Sequence, residues 1–364
     1  TTGSYYTIHD NSYGSILNIL DSVNIFGNIY NNGIINMNGG KVENTKTSGS
    51  AIYTYNKLYV NDGEIRGYTG INNGSYCEIN NGKIIGTGGY GIFTYSTLNI
   101  NGGRIEGKTY GIYVSNSDKL TIGKDTDELS TTIPAVYGGN YSVYFSDETN
   151  IFNFYNGVLI SNTEATAYNG KVNPRTGYAP YTYIDYEVEE KYCTILIENP
   201  TEITISATPT EYTNSDVTVE IDYPYKEGLR REYSEDGQEW KEASQIKKFL
   251  LISENKIIYA RTIDQSGTIV EEKQLSINNI DKEAPTVTVT PETTRYYVTE
   301  TNGTVDLNIT VKAQDSGVSG LNVVQYAWAK EGQQPTYVDF TNEITLTKNK
   351  LAIGQYNLYL KVTD

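Results

Sequence analysis

A ten-residue pattern returns four times in the first half of the chain, and no other feature restricts the fold as strongly. Ile35-Asn-Met-Asn-Gly-Gly-Lys-Val-Glu-Asn44, Leu58-Tyr-Val-Asn-Asp-Gly-Glu-Ile-Arg-Gly67, Cys77-Glu-Ile-Asn-Asn-Gly-Lys-Ile-Ile-Gly86 and Leu98-Asn-Ile-Asn-Gly-Gly-Arg-Ile-Glu-Gly107 align position for position, their starts 23, 19 and 21 residues apart. Looser copies run from Leu17 to Gly27 and from Leu120-Thr-Ile. A second signature follows each copy: Ala51-Ile-Tyr, Gly70-Ile-Asn, Gly91-Ile-Phe, Gly111-Ile-Tyr and Ser142-Val-Tyr. Each unit therefore holds two or three short strands of alternating apolar residues, divided by Asn/Gly turns. Its inward set would be Leu58, Val60 and Ile65, then Cys77, Ile79 and Ile84, then Leu98, Ile100 and Ile105. One unit cannot bury that face alone, but stacked coils bury it against the same positions above and below.

The period predicts an all-β fold whose first part, residues 1–200, is a right-handed parallel β-helix of about seven coils. Leucine-rich repeats share the period, but their Leu/Asn consensus and helical half are missing. Residues 124–134 read as an inserted loop, and Asn169–Pro180, rich in Gly, Pro and Asn, as a loop or boundary. Tyr181–Glu189 and Tyr192–Glu198 read as a hairpin that caps the end of the helix or leads out of it.

From Thr201 the texture changes to longer Thr/Val-rich strands, and two copies of one pattern align. Thr208-Pro209 matches Thr290-Pro291, Val217–Ile221 matches Val305–Ile309, and Tyr233 matches Tyr326. Tyr259-Ala-Arg-Thr-Ile-Asp264 matches Tyr359-Leu-Lys-Val-Thr-Asp364. These are predicted to be two immunoglobulin-like β-sandwiches, residues 201–281 and 282–364, the second lacking its final strand. Trp240 and Trp328 are read as core or hairpin packing.

These segments resemble cell-surface proteins of Gram-positive bacteria, the Firmicutes especially. Tyr212-Thr-Asn-Ser-Asp-Val-Thr-Val, Tyr233-Ser-Glu-Asp-Gly-Gln-Glu-Trp240, Ile258-Tyr-Ala-Arg and Asn279-Ile-Asp-Lys-Glu-Ala-Pro-Thr286 look like their recurrent Ig-like repeats. Leu120-Thr-Ile-Gly and Phe154-Tyr-Asn-Gly157 look like the last coils of the β-helix modules that accompany them. The resemblance implies a secreted, wall-attached adhesin or stalk, anchored through a segment outside these residues.

Composition narrows the partners. Asp and Glu total 44 against 28 Lys and Arg, a net charge of −16, which disfavours nucleic acid and anionic membrane surfaces. No apolar run of membrane-spanning length is present, and a monomer is expected. The single His removes multi-His metal sites and His-based acid–base chemistry. The outward acids Asp62, Glu64, Glu78 and Glu106 do not share one column, so no catalytic residues are assigned and no enzyme is expected; a polysaccharide lyase or hydrolase is the alternative. No metal site or cofactor is assigned, although acidic turns such as Asp281 with Glu283, or Asp264 and Asp315, leave calcium open.

The candidate binding face is aromatic. Tyr53, Phe93, Tyr113 and Tyr144 fall in one outward column interrupted by Asn72, and Tyr55 and Tyr95 lie two residues beyond their partners. The expected ligand is extended, a polysaccharide or a host or matrix protein. Against this stands the plain tendency of aromatic side chains to ladder on β-surfaces. A purely structural spacer is the other non-enzymatic reading.

Overall fold

A computed structural model describes residues 7–115, 119–162, 167–185, 190–292, 295–297 and 303–364. No helix occurs among the described residues, and the chain divides into two compact units, Thr1–Pro200 and Thr201–Asp364.

The first unit is a parallel β-solenoid in which three strand columns repeat. The first column stacks Leu17, Ile35, Leu58, Cys77, Leu98 and Leu120 in register. The second stacks Ile25, Val42, Ile65, Ile84, Ile105, Val136 and Leu159. The third runs from Ile8 through Ile29, Ile52, Ile71, Ile92 and Ile112 to Val143. Every member of the inward set named above is fully buried. Each Val, Leu or Ile among them contributes on the order of 1.5–3 kcal/mol of burial free energy.

The turns have their own ladders. Between the first two columns, Asn61 donates to Asn38 at 2.7 Å, Asn80 to Asn61 at 2.9 Å and Asn101 to Asn80 at 2.8 Å, so the repeat's Asn supplies one amide hydrogen bond per coil. The Gly that follows sits at positive φ (104° at Gly63, 94° at Gly82, 77° at Gly103), and a Cβ on Gly82 would stand 2.7 Å from the Gly63 carbonyl oxygen. Residues 123–134 replace the short turn 101–103 in one coil without moving the register on either side, since Leu98 still faces Leu120 and Ile105 still faces Val136.

The solenoid has about eight turns rather than seven. One reason is that Lys171–Pro174, inside a segment read as loop, is a parallel strand on Ile151–Phe154. It ends the first column and is paired along one side only, which is where a strand tolerates proline. Tyr178–Asp185 and Lys191–Glu198 then form a hairpin, with residues 186–189 outside the described set. Its second strand pairs antiparallel to Val158–Ser161 and ends the parallel stacking of the second column.

In the second unit, Thr204–Thr208, Val217–Asp222 and Lys247–Ile252 form one antiparallel sheet. Lys241–Glu242, Arg230–Ser234, Lys256–Ile263 and Ile269–Ile277 form another, and Val219, Ile221, Tyr223, Ile258 and Ala260 pack fully buried in their shared core. The Tyr223 hydroxyl donates to the Glu232 carbonyl at 2.8 Å. A second pair of sheets follows: Thr286–Thr290, Thr304–Gln314 and Glu343–Ala352, then Val338–Asp339, Val323–Lys330 and Tyr356–Thr363.

Candidate functional site

The aromatic file lies on the third column of the solenoid. Strand register places His9, Tyr30, Tyr53, Asn72, Phe93, Tyr113 and Tyr144 in a single line across successive coils. Asn72 divides it. On the N-terminal side His9 meets Tyr30 edge-on at 4.8 Å and Tyr30 meets Tyr55 at 5.3 Å, while the Tyr53 hydroxyl accepts the Ser50 N–H at 2.9 Å. On the other side Phe93 stacks on Tyr113 at 5.2 Å, and Tyr113 lies 5.3 Å from Tyr144. Tyr95 stands edge-on to Phe93 at 5.1 Å, and its hydroxyl donates to Asn72 Oδ1 at 3.0 Å.

A second file joins the first. Tyr90, Tyr110 and Tyr141 are in register with one another and pack into the gaps between Phe93, Tyr113 and Tyr144. The strand signature alone hides them, because Tyr90 and Phe93 are three residues apart and simple alternation would put them on opposite faces. Gly91 and Ile92 are buried consecutively, which breaks the alternation and brings both rings to the same side. A Cβ on Gly91 would meet the Gly111 carbonyl oxygen at 2.6 Å, so glycine is needed for that approach. The legible signal was the recurring Tyr-Gly-Ile-aromatic of Tyr90–Phe93 and Tyr110–Tyr113.

Ring orientation decides what this face can do. Tyr110 and Tyr144 are stacked at 4.4 Å and 12°, and Tyr90 and Tyr110 at 5.7 Å and 10°. The stacked ring faces are turned toward one another. A sugar therefore meets few open faces within the file; Tyr55 and Tyr95, 43% and 41% exposed, flank it. Burial among these rings, with the neighbouring Tyr113 and Tyr110, pushes the Tyr90 phenol above its ordinary value, so it stays a neutral donor.

The outward face of the second column is ionic by contrast. Lys41 pairs with Glu64 at 3.2 Å and Glu43 at 3.0 Å, and Arg66 with Glu43 at 3.7 Å. Lys83 and Arg104 are register neighbours of like charge, and both pair with Glu106. Burial alone would push Glu106 up, but Arg104 and Lys83 hold it below the usual carboxylate value. Cys77 lies in the solenoid interior, where burial pushes its thiol up; Cys193 sits in a separate cluster with Ala135, Val158 and Ile160, and both cysteines are free.

Among the described residues one group of side chains has metal-ligand spacing. Carboxylate oxygens of Asp281, Asp315 and Asp364 lie within 4.8 Å of one another. Glu283 turns instead to the Ser316 hydroxyl at 2.6 Å, and Asp264 accepts hydrogen bonds from Ser266 and Thr268 in its own turn.

No family model and no curated protein matches the chain. Among solved structures, a cytokine receptor complex aligns with 44% of this chain and 89% of its own at 13% identity and a TM-score of 0.18. Domains 7, 8 and 9 of the S-layer protein SbsC align with 50% of this chain and 68% of their own at 14% identity and a TM-score of 0.14. At those scores neither likeness bears on fold or function.

Proposed function

We propose that the chain belongs to an extracellular surface protein whose solenoid binds an extended ligand along its aromatic face, the two antiparallel modules serving as an Ig-like stalk. The observation that carries this reading is the double file of Tyr90, Phe93, Tyr110, Tyr113, Tyr141 and Tyr144. It is a continuous strip of rigid amphipathic side chains on a face where the solenoid core asks for none. Tyr is a low-entropy contact residue in protein recognition, and its hydroxyls suit hydrogen bonding to a ligand laid along the strip. Coil spacing of about 4.8 Å would repeat those hydroxyls at even intervals along a ligand laid across the coils. Stacked ring faces favour contact through edges and hydroxyls over the ring-on-ring stacking expected for sugars alone. The reading is of binding without catalysis, and it is supported by the engagement of the outward acids: Glu43 and Glu106 in ion pairs, and Glu78 with the Tyr76 hydroxyl at 2.5 Å.

The second reading, a structural spacer, is favoured by the same stacking, since rings that cover one another stabilise adjacent coils by about 0.2–1 kcal/mol per pair with no ligand present. Glycan and matrix-protein arrays probed with the whole chain separate the two. The variant Tyr110→Phe/Tyr113→Phe/Tyr144→Phe keeps the rings and removes the hydroxyls. Binding by the parent that this variant loses, with the fold retained, establishes the recognition face. Absence of binding by the parent, with loss of stability in Phe93→Ala/Tyr113→Ala, establishes the spacer.

A further inference from the structure

We infer that Asp281, Asp315 and Asp364 form a calcium site at the junction of the two antiparallel modules. Asp281 is tied to the first module through its backbone. Its N–H donates to the Thr213 carbonyl at 2.8 Å, Ile280 bridges to Thr213, and Lys282 pairs with Asp216 at 2.8 Å. Its side chain belongs to the second module: Oδ2 accepts from the Ser319 N–H at 2.7 Å and the Ser319 hydroxyl at 2.6 Å. Asp315 follows the strand Thr304–Gln314 and Asp364 follows Tyr356–Thr363, and the sheet register brings both strand ends to the pole where the linker enters.

Uncompensated charge and one orphaned oxygen point to a cation, although the Asp281 oxygens accept from Glu283 and Ser319. Asp281 is only 5% exposed, yet none of the three carboxylates has an ion-pair partner among the described residues. The independent sign is Asp315: Oδ1 accepts the Gly317 N–H at 3.2 Å, whereas Oδ2 is closed off from solvent and meets no donor. A sealed carboxylate oxygen without a donor, beside two further acids, lacks a positive partner. The Asp315–Ser319 loop is drawn tightly onto Asp281, since a Cβ on Gly317 would fall 2.1 Å from both Asp281 carboxylate oxygens.

The donor set selects the ion. All three ligands are hard carboxylate oxygens, with no sulfur or imidazole. Oxygens on opposite sides of one Ca²⁺, each about 2.4 Å from it, stand about 4.8 Å apart, and carbonyls or water fill the remaining positions. Mg²⁺ requires shorter bonds and sheds water reluctantly, so it fits this partly exposed trio less well. A bound ion would join the linker to both strand ends and fix one geometry at the junction.

The test uses the whole chain, freed of metal with a chelator and titrated with CaCl2 by calorimetry. Uptake of one ion is expected, with a Kd on the order of 10⁻⁴–10⁻³ M as for extracellular modules. Calcium should also raise the unfolding midpoint reported by Trp328 fluorescence. Asp315→Asn retains an acceptor for Gly317, and Asp364→Asn changes an exposed residue. Each should weaken calcium binding by roughly tenfold or more, the scale seen even for outer-shell losses. Absence of calcium heat together with equal midpoints in chelator and calcium would overturn the site. So would calcium binding left unchanged by both variants, which places the ion elsewhere, or magnesium binding as tight as calcium.

Discussion

The two antiparallel modules share a strand plan and differ in how far their described residues cover the core. Thr204–Thr208, Val217–Asp222, Arg230–Ser234, Lys241–Glu242, Lys247–Ile252 and Lys256–Ile263 each have a counterpart in the second module, in the same sheet order. Ile269–Ile277 has none among the described residues. In the first module that strand pairs with Lys256–Ile263, buries Ile277, and reaches the opposite sheet through Lys273–Glu202 and the hydrogen bond from Ile203 N–H to Glu271. The equivalent flank of the second module is a cleft of about 850 Å³ lined by Val287, Val305, Leu307, Trp328, Leu351 and Leu358, where the Trp328 indole N–H is buried without a partner. Ile269–Ile277 thus covers the first module's core at a flank that the described residues of the second module leave lined by apolar side chains.

The chain's two tryptophans, Trp240 and Trp328, fall one in each module, so Trp240→Phe and Trp328→Phe leave single reporters for the other. The largest expected contrast is between Ile258→Ala and Leu358→Ala. Ile258 is fully buried and its loss should cost about 2–5 kcal/mol in the Trp240 transition. Leu358, its aligned counterpart, lines the open cleft and should cost under about 2 kcal/mol in the Trp328 transition. Equal losses would break the comparison. Next in size is a gain. Appending a copy of residues 267–278 after Asp364 should stabilise the second module by about 2 kcal/mol and shift Trp328 emission to the blue, because apolar lining leaves water. An unchanged spectrum would mean that the cleft does not accept a strand there.

The smallest effect concerns the turn acids. The hydroxyl of Ser266, then the N–H of Thr268, hold Asp264 below its usual value. A depressed folded pKa contributes stability that is present above the unfolded value, about 3.9, and is lost as pH falls through the folded one. Acid titration of the first module should show a small loss below about pH 4 that Asp264→Asn removes. A parent and variant with superimposable acid profiles would show that the turn contributes nothing.

Much of the solenoid was legible because stacking makes one sequence column one spatial column. Leu98, Ile100 and Ile105 could be placed inward from alternation alone, and all are buried. What escaped was whatever departed from alternation or depended on distant strand ends. Tyr90, Tyr110 and Tyr141 were hidden by the consecutive burial that starts at Gly91. Lys171–Pro174 was hidden by proline and asparagine, which are tolerable in a strand with one partner. Of the acidic trio, the sequence sets Asp281 beside Glu283 by nearness and Asp315 with Asp264 by turn type. Only sheet topology brings Asp281 and Asp315 together with Asp364.

The loop at residues 123–134 has a bearing on how such a chain can change. The coil absorbs it at a corner while Leu98 keeps facing Leu120 and Ile105 keeps facing Val136, so length varies where no core position is displaced. That corner is a natural graft point: foreign peptides of comparable length could be displayed there, and lineages could diversify there, while the hydrophobic columns continue to dictate one fold.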